Sequence, residues 1–530
     1  MRSRPLAAAL IAVALSLGVI SYAGAAPADG QKTGAAPMAA RNALADARAA
    51  LKGEDTGQAE GHGRETTLAL RDLMKARADL TGADRRAADR ILSRPTDGGT
   101  GDGGLAVKYT TTEEAPVCST DVCVHYVDST ADMPNLTDGA DDNTTPDYVD
   151  RVLATTQSVH DSYVAAGYRA PVGDGILGGG DNQSDIYLAD IGNQGVYGYC
   201  TSEDDIPVGG PYDTWAYCVL DNDYSQAEFP TNTPVENMKV TAAHEYFHAV
   251  QFAYDAYEDG WFMEATATWV EDELFDAVND SRYYLPVSQL RHPQISLDDA
   301  RYPSVYGNWI FFRYLTEKYR TSQAGLPTLV RDMWRRADGS VTGADQHSLQ
   351  AVGNTIRAAG SNLTKAYASF ADANRRPRTT YDEGKQLNYP TPPLAFRPVT
   401  LSPRAPRTTW GSFRLDHLTN GTVRFRPKGM TQKSWKLKVQ VNMAPRSRGS
   451  AAVASVSLKN GKTRTYHLSL NAKGDGSKWI PFSNRNVRWV ELTLVNASNR
   501  LACWRGRPFS CQGAPKDDNL VQKLRGVASR

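Results

Sequence analysis

The spacing of apolar positions changes period several times along the chain, and those changes divide it. ALRDLMKARADLTGADRRAADRIL, residues 69–92, places leucine and alanine at helical spacing, which predicts one or two amphipathic helices between Thr66 and Leu92. Pro95 and the glycine-rich TDGGTGDGG end them. Residues 26–64 are rich in alanine and glycine and read as flexible. Val122–Val127 reads as a strand, Pro146 to Ala166 as a helix, and SDIYLADIG (184–192) alternates as a strand does. VTAAHEYFHAVQF (240–252) and WFMEATATWVED (261–272) predict two adjacent helices joined by the turn-like YEDGW. Helical segments follow at 306–318, 326–334, 346–359 and 363–373. Residues 375–398 are proline-punctuated and aperiodic, and mark a domain boundary. Beyond it, WKLKVQVNM, AAVASVSLK, TRTYHLSLNA and RWVELTLVNA are short alternating strands between Gly, Asn and Ser turns, the pattern of an all-β sandwich. The expected fold class is α+β: a mixed region over residues 105–392, then a β-sandwich over 397–530.

The N-terminus adds a compartment. Arg2 and Arg4 precede an apolar run from Leu6 to Tyr22, and small residues follow, the layout of a signal peptide over residues 1–25. An uncleaved anchor is the alternative, though the run is barely long enough to span a bilayer. The expected location is therefore extracellular, with no membrane contact after cleavage. Residues 26–98 then form a removable pro-region, as in a zymogen, or a helical extension that stays attached. Six cysteines fall in three close pairs, Cys118 with Cys123, Cys200 with Cys218 and Cys503 with Cys511, which suits local disulfides made in an oxidising compartment.

The net charge of zero hides a split. Residues 395–530 carry 26 Lys+Arg against 5 Asp+Glu, a balance of +21, and the rest of the chain carries the compensating −21. Residues 101–280 hold 34 acids and four cations, Lys108, Arg151, Arg169 and Lys239. An acidic body and a basic tail region are different electrostatic objects.

Candidate chemistry is concentrated in the two adjacent helices. His244 and His248 stand at i and i+4 and share a helix face, so both imidazoles can bind one zinc, with Glu245 beside the open position as general base. A catalytic zinc needs a third protein ligand. Glu264 follows after 15 intervening residues, and Glu264, Thr268 and Glu271 fall on one face of the second helix. Glu264 is the expected ligand; Glu271 is the alternative, better suited to accept a histidine N–H. Two surface histidines with a solvated acidic stripe would be the plain explanation. The first helix is too apolar for that (Ala242, Ala243, Phe247, Ala249, Val250, Phe252), and a buried ionisable trio must be paired or bound to metal.

HEYFHAVQ followed by WFMEATATWVE resembles the His-Glu-x-x-His … Trp-x-x-Glu-x-x-Ala-x-Trp-x-Glu signature of the gluzincins, the peptidase MA superfamily, and within it a group of secreted bacterial metalloproteases. Supporting matches at TPDYVDRV, DGILGGGDNQSDIYLADIG, YGNWIFFRYLTEKY and FADANRRPRTTYDEG extend the resemblance over roughly residues 105–395. The resemblance implies a thermolysin-like domain with a mixed-sheet lobe and a helical lobe. It implies zinc on His244, His248 and Glu264, Glu245 as catalytic base, and hydrolysis of protein or peptide substrates. It also implies that SDIYLADIG forms the cleft edge on which an extended peptide pairs, and that a tyrosine or histidine faces the metal as oxyanion donor. Tyr306 is the candidate donor, with Tyr302 and His292 as rivals. The position after Glu264 is Ala265, where many relatives have glycine.

Weaker signals remain. Asp138, Asp141, Asp142, Asp147 and Asp150 lie close together and suggest calcium, without EF-hand spacing; Glu203, Asp204 and Asp205 are a lesser candidate. The basic tail points to an anionic cell-wall polymer or polysaccharide rather than nucleic acid, because its cations are spread through strands and the chain is expected to be exported. Two other functions fit the same residues: a zinc hydrolase of non-peptide substrates, and a cell-surface binding protein whose metal is structural.

Overall fold

The computed structural model describes residues 35–53, 66–96, 107–139, 143–179, 182–207, 209–301 and 303–530. The signal-peptide reading of residues 1–25 falls outside them.

Three helices come first: α1 (Ala35–Leu51), α2 (Thr66–Ala76) and α3 (Gly82–Leu92). Helix α1 corrects the expectation of a flexible segment. Ala40, Leu44 and Ala47 are buried at i, i+4 and i+7, so the alanine content expresses helix propensity and close packing. A mixed sheet follows, built from β1 (Val117–Cys118), β2 (Val122–His125), β3 (Ser184–Ala189), β4 (Gly198–Thr201) and β5 (Tyr217–Asp221) in the order β1-β2-β3-β5-β4. Strand β3 runs parallel to β2 and β5, and β4 closes the sheet antiparallel to β5.

The expectation that SDIYLADIG forms the cleft edge is therefore overturned: β3 is the middle strand and β4 is an edge. Ile186, Tyr187, Leu188 and Ala189 are all buried, as in a strand covered on both faces and paired on both sides. Helix α4 (Asp147–Ala165) packs on β2, and α5 (Pro234–Asp255) packs on β4 and β5. Helix α6 (Gly260–Leu274) lies against α5. The helix expected from 306 is broken at Asn308 into Ser304–Gly307 and Trp309–Lys318.

The chain is thus α+β, with an N-terminal mixed helix and sheet region and a C-terminal, mostly β region. In the latter, strands Thr419–Pro427, Ser450–Leu458 and Val487–Asn496 lie in a five-stranded sheet, and Lys436–Asn442 and Leu520–Ser529 in a four-stranded one. Val423, Phe425, Ala454 and Val456 of the first share an apolar core with Leu437, Val439, Val441 and Leu524 of the second. The proline-punctuated segment between the regions is packed, with Tyr381 and Tyr389 buried. Arg375 binds Glu491 at 2.9 Å, and Leu418, Val453 and Val495 join the apolar cluster of the helices. Each of the three expected cysteine pairs forms a disulfide. Among the described residues, no helix is long and apolar enough to cross a membrane.

Candidate metal centre

Helix α5 begins at a sequence-encoded start signal. Thr233 Oγ1 accepts from the Glu236 N–H while Glu236 Oε2 accepts from the Thr233 N–H, and Pro234 occupies the first turn. The capping box fixes the register that carries His244, Glu245 and His248 three turns later. A short turn then reverses the chain into α6, which brings Glu264 opposite the histidines.

The three expected ligands converge. His244 Nε2 lies 3.2 Å from Glu264 Oε2, His248 Nε2 lies 3.6 Å from Glu264 Oε1, and the two imidazole centroids are 4.8 Å apart. The other ring nitrogen of each histidine is already engaged: His244 Nδ1 with Glu271 Oε1 at 2.6 Å, and His248 Nδ1 with Gln251 Oε1 at 2.7 Å. Gln251 is itself held, donating to Met263 O and Thr266 Oγ1. Both imidazoles are therefore oriented with Nε2 toward Glu264, the arrangement in which an outer acceptor sets the ring of a metal-binding histidine. Glu271 occupies the outer position, which favours Glu264 as the inner carboxylate.

His244, Glu245, His248 and Glu264 are fully buried. Burial opposes charge on His244, but bonds to Glu264 and Glu271 and the charges of Glu271 and Glu245 outweigh it and raise its pKa from 6.5 to about 10. Burial lowers His248 to about 4, and the charge of His244 opposes a second cation beside it. Carboxylates buried together thus demand positive charge at this point. His248 Nε2 and Glu264 Oε1 have no hydrogen-bond partner among the described residues. Two imidazole nitrogens and a carboxylate, with ligand atoms all within 4.8 Å of one another, fit a zinc ion.

Other expected residues are placed as follows. The Tyr306 ring lies 6.2 Å from that of His244 and stacks on Tyr284 at 5.0 Å. His292 sits partly exposed in a turn with Gln294, and Tyr302 is outside the described residues. In the aspartate-rich loop, Asp138 accepts from the Thr144 N–H, Asp147 from the Gly139 N–H and Asp150 from Asn143. Asp141 and Asp142 are outside the described residues. Glu203 and Asp205 take arginines rather than standing together: Arg94 donates to both oxygens of Glu203, and Arg77 to Asp205 at 2.6 Å.

Two contacts at the site have no counterpart in the sequence reading. Gln251 was legible, being three residues after His248 and on the same helix face. Thr67 was not. Its hydroxyl donates to Glu245 Oε2 at 2.8 Å, 178 positions along the chain, and accepts from the Cys200 N–H at 2.9 Å, 133 positions along it. Strand β4 reaches this close to α5 because Gly198 has no side chain: a Cβ there would lie 3.0 Å from Glu245 Cγ and 2.9 Å from Thr241 Cγ2.

No protein-family profile matches the sequence, and no curated protein matches it. Among solved structures, a similarity was found to a family GH115 4-O-methyl-α-glucuronidase, BtGH115A, with specificity for decorated arabinogalactans. It has 10% identity, covers 55% of this chain and 45% of that one, and has a TM-score of 0.12. The chain spans less than half the length of that enzyme, and a likeness of this size carries no argument about fold or activity.

Proposed function

We propose that the chain is an exported zinc-dependent endopeptidase of the gluzincin type, with a thermolysin-like arrangement over residues 105–392. One observation carries the reading: His244 Nε2, His248 Nε2 and the Glu264 carboxylate converge with both Nδ1 atoms already engaged, and Glu245 stands next to His244 on the same helix. The resemblance of HEYFH…Glu264 to the gluzincin motif points to the same reading. His244, His248 and Glu264 would hold the metal. When bound, zinc supplies Lewis-acid polarisation of the scissile carbonyl and lowers the pKa of a water to about 7.

The chain's own residues do the rest. Glu245 takes the proton of the attacking water and returns it to the leaving amine, acting as general base and then general acid. Tyr306 donates toward the developing oxyanion. Edge strand β4, rather than β3, offers its backbone to an extended peptide by strand addition. Glu271 and Gln251 keep the imidazoles oriented throughout.

The basic C-terminal region would hold the enzyme on a polyanionic glycan. Its four-stranded sheet presents Lys436, Lys438, Lys523, Arg525 and Arg414 outward, with Lys438 over the half-exposed Trp479 and Arg525 over the half-exposed Trp410. Sugar rings stack on exposed indoles and acidic substituents pair with the cations.

Zinc per chain and peptide hydrolysis, measured on wild type and Glu245→Gln, test the enzymatic reading. The expected result is one zinc in both and hydrolysis only in the wild type. Zinc lost with Glu245→Gln would contradict the base assignment, and zinc bound without hydrolysis of any peptide would favour a structural metal.

A further inference from the structure

We infer that residues 66–96 are a displaceable cover over the metal site, seated on the two groups a substrate would need. What the cover regulates rests on the peptidase reading; that it covers the site does not.

Thr67 is fully buried, and its hydroxyl bridges Glu245 Oε2 at 2.8 Å and the Cys200 N–H at 2.9 Å. Cys200 lies on edge strand β4 and its N–H is given to Thr67; the register set by the Asp221 N–H to Tyr197 O bond turns it away from β5, to the side where an added strand would pair. One hydroxyl therefore satisfies both the proposed base and the proposed peptide-binding edge. The same helix continues across the site. Leu68 packs on Gly260, where a Cβ would lie 3.0 Å from Leu68 Cδ1. Arg71 Nη1 donates to Glu258 O at 3.0 Å and touches Met263 Sδ, next to Glu264. Residues 67–71 thus run from β4 over Glu245 to the start of α6, and the site beneath is fully buried.

The fastenings differ from a permanent core because the outer ones are ionic. Residues 66–96 carry seven Lys+Arg and four Asp, and they lie on the part of the chain with 34 acids and four cations. Arg94, buried, reaches Asp174 and Glu203, and its guanidinium stacks on Trp215 at 4.6 Å. Arg77 pairs with Asp205 and donates to Glu203 O. Beneath these ion pairs, Leu70, Leu73, Ile91 and Leu92 are buried in the same apolar cluster as Tyr217 and Met263, so the outer fastenings are ionic and the inner ones apolar.

The test uses the full, zinc-loaded chain as wild type, Arg94→Ala and Arg77→Ala; the second leaves the carboxylates beneath Arg94 paired and so guards against misfolding. Three quantities are read: hydrogen exchange at the Cys200 amide, the rate of zinc loss to a chelator, and peptide hydrolysis. All three are expected to rise together, by about tenfold or more in Arg94→Ala and less in Arg77→Ala. Faster Cys200 exchange with unchanged zinc loss and hydrolysis would overturn the inference, and so would unchanged exchange in both variants. Faster exchange and zinc loss with no hydrolysis in any protein would sustain the cover and sink the peptidase reading instead.

Discussion

Gln251 Oε1 lies 2.7 Å from His248 Nδ1, while the amide nitrogen of the same side chain donates to Met263 O, one residue before Glu264. A neutral amide therefore couples the orientation of one proposed ligand to the backbone that carries another. Gln251→Leu removes these bonds and the one to Thr266 Oγ1, and leaves the ring of His248 without its Nδ1 partner. Zinc affinity, measured by competition with a chelator, is expected to fall on the order of 10–100-fold with the helix content unchanged. An unchanged affinity would show that His248 is oriented by packing alone.

Glu264 and Glu271 separate by role. Glu271 accepts from His244 Nδ1 at 2.6 Å, whereas Glu264 faces Nε2 of both histidines. Glu264→Ala is expected to abolish zinc binding, and Glu271→Gln to weaken it on the order of tenfold while keeping the site. If elemental analysis finds zinc in Glu264→Ala and none in Glu271→Gln, the two carboxylates exchange roles.

His417 bridges the two regions, and its stabilising contribution is expected to depend on pH. Its Nε2 lies 2.8 Å from Asp298 Oδ1 and its Nδ1 2.7 Å from Asp518 Oδ1, with Ser296 and the Phe509 ring as further neighbours. Burial opposes its charge, but Asp298 and Asp518 outweigh burial and raise its pKa from 6.5 to about 10. A histidine raised on folding contributes fully below its unfolded pKa and loses that contribution as pH climbs through the folded one. His417→Gln should therefore be least stable relative to wild type near pH 6, with the gap closing toward pH 10. Denaturant titrations at pH 6, 7, 8, 9 and 10 measure this, and a gap independent of pH would exclude the charged bridge.

Trp410 and Trp479 test the proposed polyanion binding. Trp410→Ala with Trp479→Ala is expected to weaken binding to polygalacturonate by about tenfold, with salt weakening the wild type as well. Uncharged dextran should not bind. Preference for duplex DNA over polygalacturonate would reassign the surface to nucleic acid.

Short-range features were legible in the sequence. The Thr233–Glu236 capping box and the continuous apolar face of α5 place His244 and His248 on one side of a helix, and YEDGW forces the next helix back along it. Close spacing was enough for the three disulfides, and alternation was enough for the strands after residue 397. In each case the determining interactions lie within a turn, a helix or a hairpin, where periodicity and chain proximity already restrict the geometry. Alanine richness misled for α1, because it marks a helix once Ala40, Leu44 and Ala47 find a surface to bury against.

Tertiary structure alone decided the rest. SDIYLADIG reads as a strand, but pairing partners put it in the middle of the sheet and left β4 at the edge. Thr67 carries no motif, and its seat on Glu245, 178 positions away, arises from packing α2 against β4. His417 acquires its charge from Asp298 and Asp518, which lie 119 and 101 positions away. Sequence determines which groups can ligate, titrate or pair. Which of them meet depends on how buried faces from distant segments dock, and that energy is shared by the whole fold rather than written in any one stretch.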